Sequence, residues 1–376
     1  MTSAPLSLRE QHPWRHELRA TISLAWPLIL SNLTMALIGA TDVLMLGWLG
    51  ARELAAATLG FNLAMTAAIF CMGLITASAP MMASEIGRMQ HSVRDVRRTF
   101  RQALWAAVAV ILPFWILLWN TEALLVTFGQ QPDLAAIAGT YIGAYMWSIL
   151  PFLFFIILRN FISALEQPVW ALIISVIAVM SNALFNYALI FGKFGVPEFG
   201  VVGAGIGSVM TNVLMFAGMA IVVMRHKRFR RYHLFGRFWR SDWQRFRAMW
   251  KLGLPIAVTM GLEGSVFGFA ALLMGLISTA SVAAHAIALQ LAALTFMVPM
   301  GLGQAATVRV GIQYGRKDHA AIKRAGWVSF ILGTSFMAAM ALVFVLAPDF
   351  LISMFIDASA PGNAEVAALA VSFLAI

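Results

Sequence analysis

Long apolar runs separated by short polar stretches, most of them basic, fill nearly the whole chain. A helix needs about 20 mostly apolar residues to cross a bilayer. Runs near 20–48, 54–83, 102–124, 135–158, 168–191, 201–224, 252–277, 282–308 and 325–347 reach that length, and a tenth starts near 363 and continues to Ile376. None alternates apolar with polar positions as a membrane β-strand would, whereas helices satisfy their backbone groups internally. The pattern predicts an all-α polytopic membrane protein with about ten spans.

Composition removes the soluble alternatives. Hydrophobic residues make up 61% of the 376 positions and charged residues 11%, with a mean hydropathy of +0.84. No soluble domain could cover that much apolar surface. The 26 Lys and Arg against 16 Asp and Glu give a formal net charge of +10, which alone would suit a nucleic-acid partner. Its placement points elsewhere. Arg9, Arg15 and Arg19 precede the first span, Arg88 to Arg101 follow the second, Arg159 follows the fourth, Arg225 to Lys251 follow the sixth, and Arg309 to Arg324 follow the eighth. Only Arg52 and Lys193 fall on the other side. The positive-inside rule puts the N-terminus and every even-numbered loop in the cytoplasm. The basic excess, RHKRFRR at 225–231 included, reads as a topology signal and a contact for membrane lipids, with no nucleic-acid partner. The lone Cys71 lies in an apolar run, so there is no disulfide framework. The first apolar stretch is too long for a cleavable signal peptide.

The chain also repeats itself. Laying residue i over residue i + 228 pairs Pro27 with Pro255, Gly47 with Gly275, Met72-Gly73-Leu74 with Met300-Gly301-Leu302, and Gly87-Arg88 with Gly315-Arg316. Leu and Ala matches mean little among apolar residues, but shared Pro, Gly and Gly-Arg positions at one register indicate a duplication. Six spans separate the copies, an even number, so both insert in the same direction; such parallel repeats are related by an axis along the membrane normal. The expected organisation is a cytoplasmic segment 1–19, an N-lobe of six helices over 20–224, a basic linker 225–251 and a C-lobe over 252–376. Ile376 corresponds to residue 148, inside the fourth span of copy one. The second lobe is therefore expected to be incomplete, in a C-terminally truncated chain.

The candidate chemistry is acidic and lies within the spans. Charged side chains at membrane depth are costly and usually serve a polar cavity. Asp42 follows Gly39, Ala40 and Thr41 near the outer end of the first span. Glu263 lies mid-span with no Lys or Arg within ten residues, and its copy-one counterpart is Met35. Asn182 and Asn186 are four residues apart and share a helical face. Their amide oxygens could ligate Na⁺, their amide hydrogens could hold a carboxylate, or the pair could be helix–helix glue. Gly200, Gly203, Gly205 and Gly207, followed by Ser208, read first as a close-packing surface. Gln290 and Gln304 are polar positions of the eighth span. Pro27 and Pro255 each remove a helix hydrogen bond at equivalent places, as gating kinks would. No P-loop, metal-ligand cluster or nucleophile elbow occurs, so neither direct ATP use nor an enzyme is expected. His91 and His319 fall in basic loops, where solvation is the default reading.

Together LAWPLILSNL leading to Asp42, SNALFN with YALIFGKFGVPEFGVVGAGIG, LGLPIAVTMGLEG, VAAHAIALQ and MVPMGLGQAATVRVGIQYGR resemble the multidrug and toxic compound extrusion (MATE) family, in its NorM-like bacterial branch. The resemblance implies a monomeric antiporter of the bacterial inner membrane, exporting small organic cations in exchange for Na⁺ or H⁺ and needing no other cofactor. It implies that Asp42 is the N-lobe coupling carboxylate, with Asn182, Asn186 and Ser208 as polar partners. Glu263 becomes the C-lobe carboxylate, and Na⁺ could sit at either acid. A lipid-linked oligosaccharide flippase of the same superfamily is the alternative, and it would call for basic residues within the spans. A non-transporting remnant fits the expected truncation.

Overall fold

The computed structural model describes residues 13–89, 91–236, 242–354 and 363–374. Arg9 and Ile376, which enter the reading above, lie outside them. Helices account for most of the described residues, with no strand among them. The helices are α1 (Pro13–Leu49), α2 (Ala51–Thr76), α3 (Ser78–Gly87), α4 (Ser92–Trp119), α5 (Thr121–Thr127), α6 (Pro132–Tyr145), α7 (Ile149–Ala164), α8 (Val169–Ile190), α9 (Gly200–Arg225), α10 (Lys227–Arg230), α11 (Trp243–Ile277), α12 (Thr279–Arg316), α13 (His319–Leu346), α14 (Pro348–Ser353) and α15 (Asn363–Leu374). Counting α2–α3 and α6–α7 as single spans, eight helices among the described residues are long and apolar enough to cross a membrane. The 35-residue α11 covers the region of the expected seventh span and is not one of these eight. Hydroxyls along these helices bond back to their own turns, as Thr34 does to the Leu30 carbonyl at 2.6 Å and Thr41 to that of Leu37 at 2.9 Å. This i−4 pairing leaves few hydroxyls needing a partner in the apolar phase.

The 228-residue register reappears in the helix ends to within one residue. α2 begins at Ala51 and α12 at Thr279; α3 ends at Gly87 and α12 at Arg316; α4 spans Ser92–Trp119 and α13 spans His319–Leu346; the short α5 starts at Thr121 and α14 at Pro348.

Contacts divide the chain into two compact units, 30–261 with 307–322, and 1–29 with 262–306 and 323–376. The seams fall inside helices; that in α1 lies two residues beyond Pro27. In the larger unit α9 packs on α8, α7 and α6, α2 packs on α6, and α3 packs on α4 and α7. Lipid tails are as apolar as leucine, so helices gain here by close approach rather than by burial from water. Accordingly Ala56, Ala57, Ala64, Ala103, Ala106, Ala107 and Ala138 are buried between helices. Gly87 and Gly315 show the same principle at a crossing of α3 and α12. A Cβ on Gly87 would lie 2.0 Å from the Ile312 carbonyl oxygen, and one on Gly315 would lie 2.0 Å from that of Ser84. Residues 84 and 312, like 87 and 315, are register partners, so each copy repeats the other's contact. In the smaller unit Gly301 meets the backbone of Ile29, and Ala284, Leu291, Ile352, Ala370 and Leu374 form a core.

The polar ends of α3, α4 and α11 are joined by an ion-pair network. Arg245 pairs with Glu85, with Asp95 at 2.8 Å and with Asp242 at 3.2 Å. Arg98 pairs with Asp242 at 2.8 Å, and Thr99 donates to Glu85 at 2.7 Å. The first turn of α11 is thus fixed to the α3–α4 corner by charge.

Candidate functional site

Two parallel helices in constant register build the site. Ser31 of α1 meets Ser175 of α8 at 3.0 Å, and Asp42 meets Asn186, a separation of 144 residues in both cases. Residues 31 and 42 are three turns apart, as are 175 and 186, so one face of α1 follows one face of α8. Asn182 is also on that α8 face. Asp42 lies seven residues from the end of α1, where an interfacial carboxylate would be solvated. Instead it is buried, as are Asn182, Asn186 and Ser208.

The Asp42 carboxylate accepts three hydrogen bonds. Asn182 Nδ2 donates to Oδ1 at 3.0 Å, Asn186 Nδ2 donates to the same oxygen at 2.6 Å, and Ser208 Oγ donates to Oδ2 at 3.3 Å. No Lys or Arg pairs with it among the described residues. The magnitudes decide what this arrangement can do. Hydrogen bonds to a charged group contribute about 1.5–3 kcal/mol net each, so the three together offset much of the several kcal/mol for taking a carboxylate out of water but leave its net charge in place. Neutral donors hold the group in place without cancelling its charge, so a cation or proton gains by joining it. One further oxygen is available: Asn186 Oδ1 is buried and has no hydrogen-bond partner among the described residues. It faces Gly207, where a Cβ would lie 2.1 Å away.

The glycine run of α9 therefore does two things. Gly203 lies against the Leu189 carbonyl of α8, and Gly205 against Ala144 and Tyr145 of α6; both are close packing, as the sequence suggested. Gly207 makes room for Asn186, a contribution to the site that helix spacing does not reveal. The buried Tyr141 and the half-buried Tyr145, stacked at 5.4 Å, lie within the field of Asp42. The sequence reading missed them because tyrosines at i and i+4 read as ordinary core.

The other expected residues are not in this cluster. Glu263 belongs to the smaller unit, is exposed and makes no ion pair among the described residues. Gln290 is also in that unit and exposed. α1 and α11 run unbroken through Pro27 and Pro255; Pro27 is buried and Pro255 exposed.

Arg159 requires a correction. It is not a loop residue after the fourth span. α7 continues to Ala164, and Arg159 is buried within it, donating to Asn32 Oδ1 at 3.0 Å and contacting Met35 Sδ at 3.4 Å. The apolar FISAL after Arg159–Asn160 was the available signal. The spans therefore do hold a basic residue, and the absence of one is no longer an argument against a flippase.

The MatE family model matches residues 27–188 and 255–376, two segments that begin at register partners. The chain is 55% identical over 361 residues to the probable multidrug resistance protein NorM of Mesorhizobium japonicum, covering 96% of this chain and 77% of that protein. It is 46% identical over 370 residues to the protein of the same name from Brucella suis, covering 98% and 79%. Among solved structures, a mutant of the Vibrio cholerae MATE transporter VcmN superimposes with a TM-score of 0.86 at 18% identity, over 97% of this chain and 80% of that one. The eukaryotic MATE transporter AtDTX14 gives 0.83 at 18%, over 96% and 79%. The fold is that of a polytopic membrane protein, and it holds a buried carboxylate among neutral donors. This chain belongs to the MATE family.

Proposed function

We propose that this protein is a secondary active antiporter that exports organic cations, drugs among them, in exchange for Na⁺ or H⁺. The observation that carries this reading is Asp42, a buried carboxylate held by Asn182, Asn186 and Ser208 and neutralised by no described cation. A coupling ion and a cationic substrate cannot both be held at full strength by one negative charge, so binding of one promotes release of the other. Na⁺ would draw on the Asp42 oxygens, Ser208 Oγ and the amide oxygens of Asn182 and Asn186; a proton would need only one carboxylate oxygen. Glu263 offers a second cation site in the C-terminal half, with Gln290 as a further polar residue there. Pro27 and Pro255 are the proposed bending points of α1 and α11. Relatives named as multidrug resistance proteins support the substrate class. The proposed location is a bacterial inner membrane with the N-terminus and the α9–α11 connection on the cytoplasmic side, a reading that the basic residues at the helix ends support. The flippase reading gains little from Arg159, whose guanidinium is turned onto α1 at Asn32 and Met35.

Ethidium accumulation in cells tests the proposal. Cells producing the chain should accumulate less dye than cells carrying an empty vector, and Asp42→Asn should abolish the difference at equal membrane abundance. Equal accumulation with wild-type protein present in the membrane would overturn the reading.

A further inference from the structure

The segment that follows α9 is a folded platform rather than a loose connection. Arg225, Lys227, Arg228, Arg230 and Arg231 are all exposed. Between them the chain turns inward. Phe229, Tyr232 and Leu234 are buried to 2% exposure or less. Phe161 of α7 packs against Phe229 at 6.1 Å and Tyr232 at 5.2 Å, and Phe100 of α4 packs against Phe235 at 5.9 Å. Arg231 lies over the Tyr232 ring at 5.1 Å. Aromatic pairs of this kind add about 0.5–1.5 kcal/mol each beyond their buried area. The backbone carrying the five cations is thereby fixed from beneath.

None of the five makes an ion pair with a described residue. The acids Glu85, Asp95 and Asp242 are taken by Arg98 and Arg245, and Glu166, just before α8, is taken by Arg309. The depth of the platform is also set. The exposed apolar residues of α9, Met210, Val213, Ile221 and Met224, end immediately before Arg225. Trp170, at the start of α8, meets His226 at 5.6 Å, and tryptophan favours the headgroup layer. The cations therefore stand where the apolar phase gives way to lipid headgroups. Orienting the chain in the membrane requires basic residues in the loop, but not their rigid display above an aromatic anchor.

We propose that Arg225, Lys227, Arg228, Arg230 and Arg231 form a binding site for the phosphodiester headgroups of anionic phospholipids. Multiple cations spaced on a fixed surface contact more than one headgroup, and guanidinium forks suit phosphate oxygens. This inference rests on the orientation of the basic face and is independent of the transport reading.

The test uses the purified full chain in lipid nanodiscs of phosphatidylcholine alone or mixed with phosphatidylglycerol. Lipid retained after detergent extraction is measured by mass spectrometry. Wild type should retain phosphatidylglycerol in preference to phosphatidylcholine. A variant with Arg225→Gln, Lys227→Gln, Arg228→Gln and Arg230→Gln should retain about tenfold less, since juxtamembrane cations each add a surface attraction. A matched control removes four exposed basic-face charges elsewhere, by Arg94→Gln, Arg316→Gln, Lys317→Gln and Lys323→Gln, and should keep its retention. Loss of equal size in both variants would reduce the effect to overall charge and overturn the site. Equal retention of both lipids by wild type would overturn it without any variant. If the fourfold variant does not insert, Arg228→Gln with Arg230→Gln carries the same comparison, and dye efflux in either variant reports separately on transport.

Discussion

Asn186 meets Asp42 through its amide nitrogen and Gly207 through its oxygen, so a single methyl group can test the site from its far side. In Gly207→Ala the new Cβ would overlap Asn186 Oδ1, forcing that side chain to turn and lose its 2.6 Å bond to Asp42. Losing a hydrogen bond to a charged group costs about 1.5–3 kcal/mol, which corresponds to a roughly tenfold or greater fall in coupled dye efflux. Gly205→Ala, which meets Ala144 and Tyr145 instead, should lower thermal stability while leaving the efflux per folded molecule near wild type. Equal efflux defects in the two variants would remove Gly207 from the site. Asp42→Asn should leave stability unchanged or improve it, because it removes a buried charge, and thermal unfolding of the purified variant checks this. Asp42, Asn182 and Asn186 were legible in the sequence as polar residues where polarity is costly, whereas Ser208 entered only through the family resemblance. Arg159 was not, because one guanidinium beside an apolar run looks like the end of the run until its partner on α1 is known.

Helix ends show a different limit. The basic stretches read as solvated topology charges, which holds for Arg94 and Arg247, both exposed. Arg98 and Arg245 look the same in sequence but are held by acids far along the chain, Glu85 being 160 residues from Arg245. Periodicity carries no information about such pairs. Glu85 is buried, so Arg245→Ala should leave a carboxylate stranded and cost about 2–4 kcal/mol, the lower end reflecting the partial exposure of Arg245. Arg247→Ala should cost little. Thermal unfolding of the two variants side by side measures the difference, and similar midpoints would show that the network is decorative. Gly87 and Gly315 make a matching pair. Alanine at either would press on a carbonyl oxygen of the opposing helix, and overpacking of this kind costs about 1–3 kcal/mol. The two substitutions should have similar effects because their contacts are register equivalents.

At the scale of the whole molecule the duplication was the most legible feature. The 228-residue register appears in shared prolines and glycines, in the ends of helices, and in the two segments that match the family model. The proposed orientation rests on the same charges that mark the loops. In a Cys71→Ala background, cysteines at His233 and Glu198, both exposed, should react from opposite sides of the membrane. Labelling of both from outside the cell would reject the proposed topology. The grouping of residues 307–322 with the first half was not legible, because a repeat shows what corresponds and not what touches. The network around Arg245 has one more consequence. It ties Asp242 and the start of α11 to Glu85, Asp95 and Arg98 without help from the peptide connection before them. Each half also begins on the basic side and needs no partner to set its direction of insertion. The covalent joint is then dispensable: two genes, one encoding residues 1–236 and the other the remainder, should yield fragments that co-purify when expressed together. Arg245→Ala in the second gene should weaken that association without abolishing it, because the α3–α12 crossing at Gly87 and Gly315 remains.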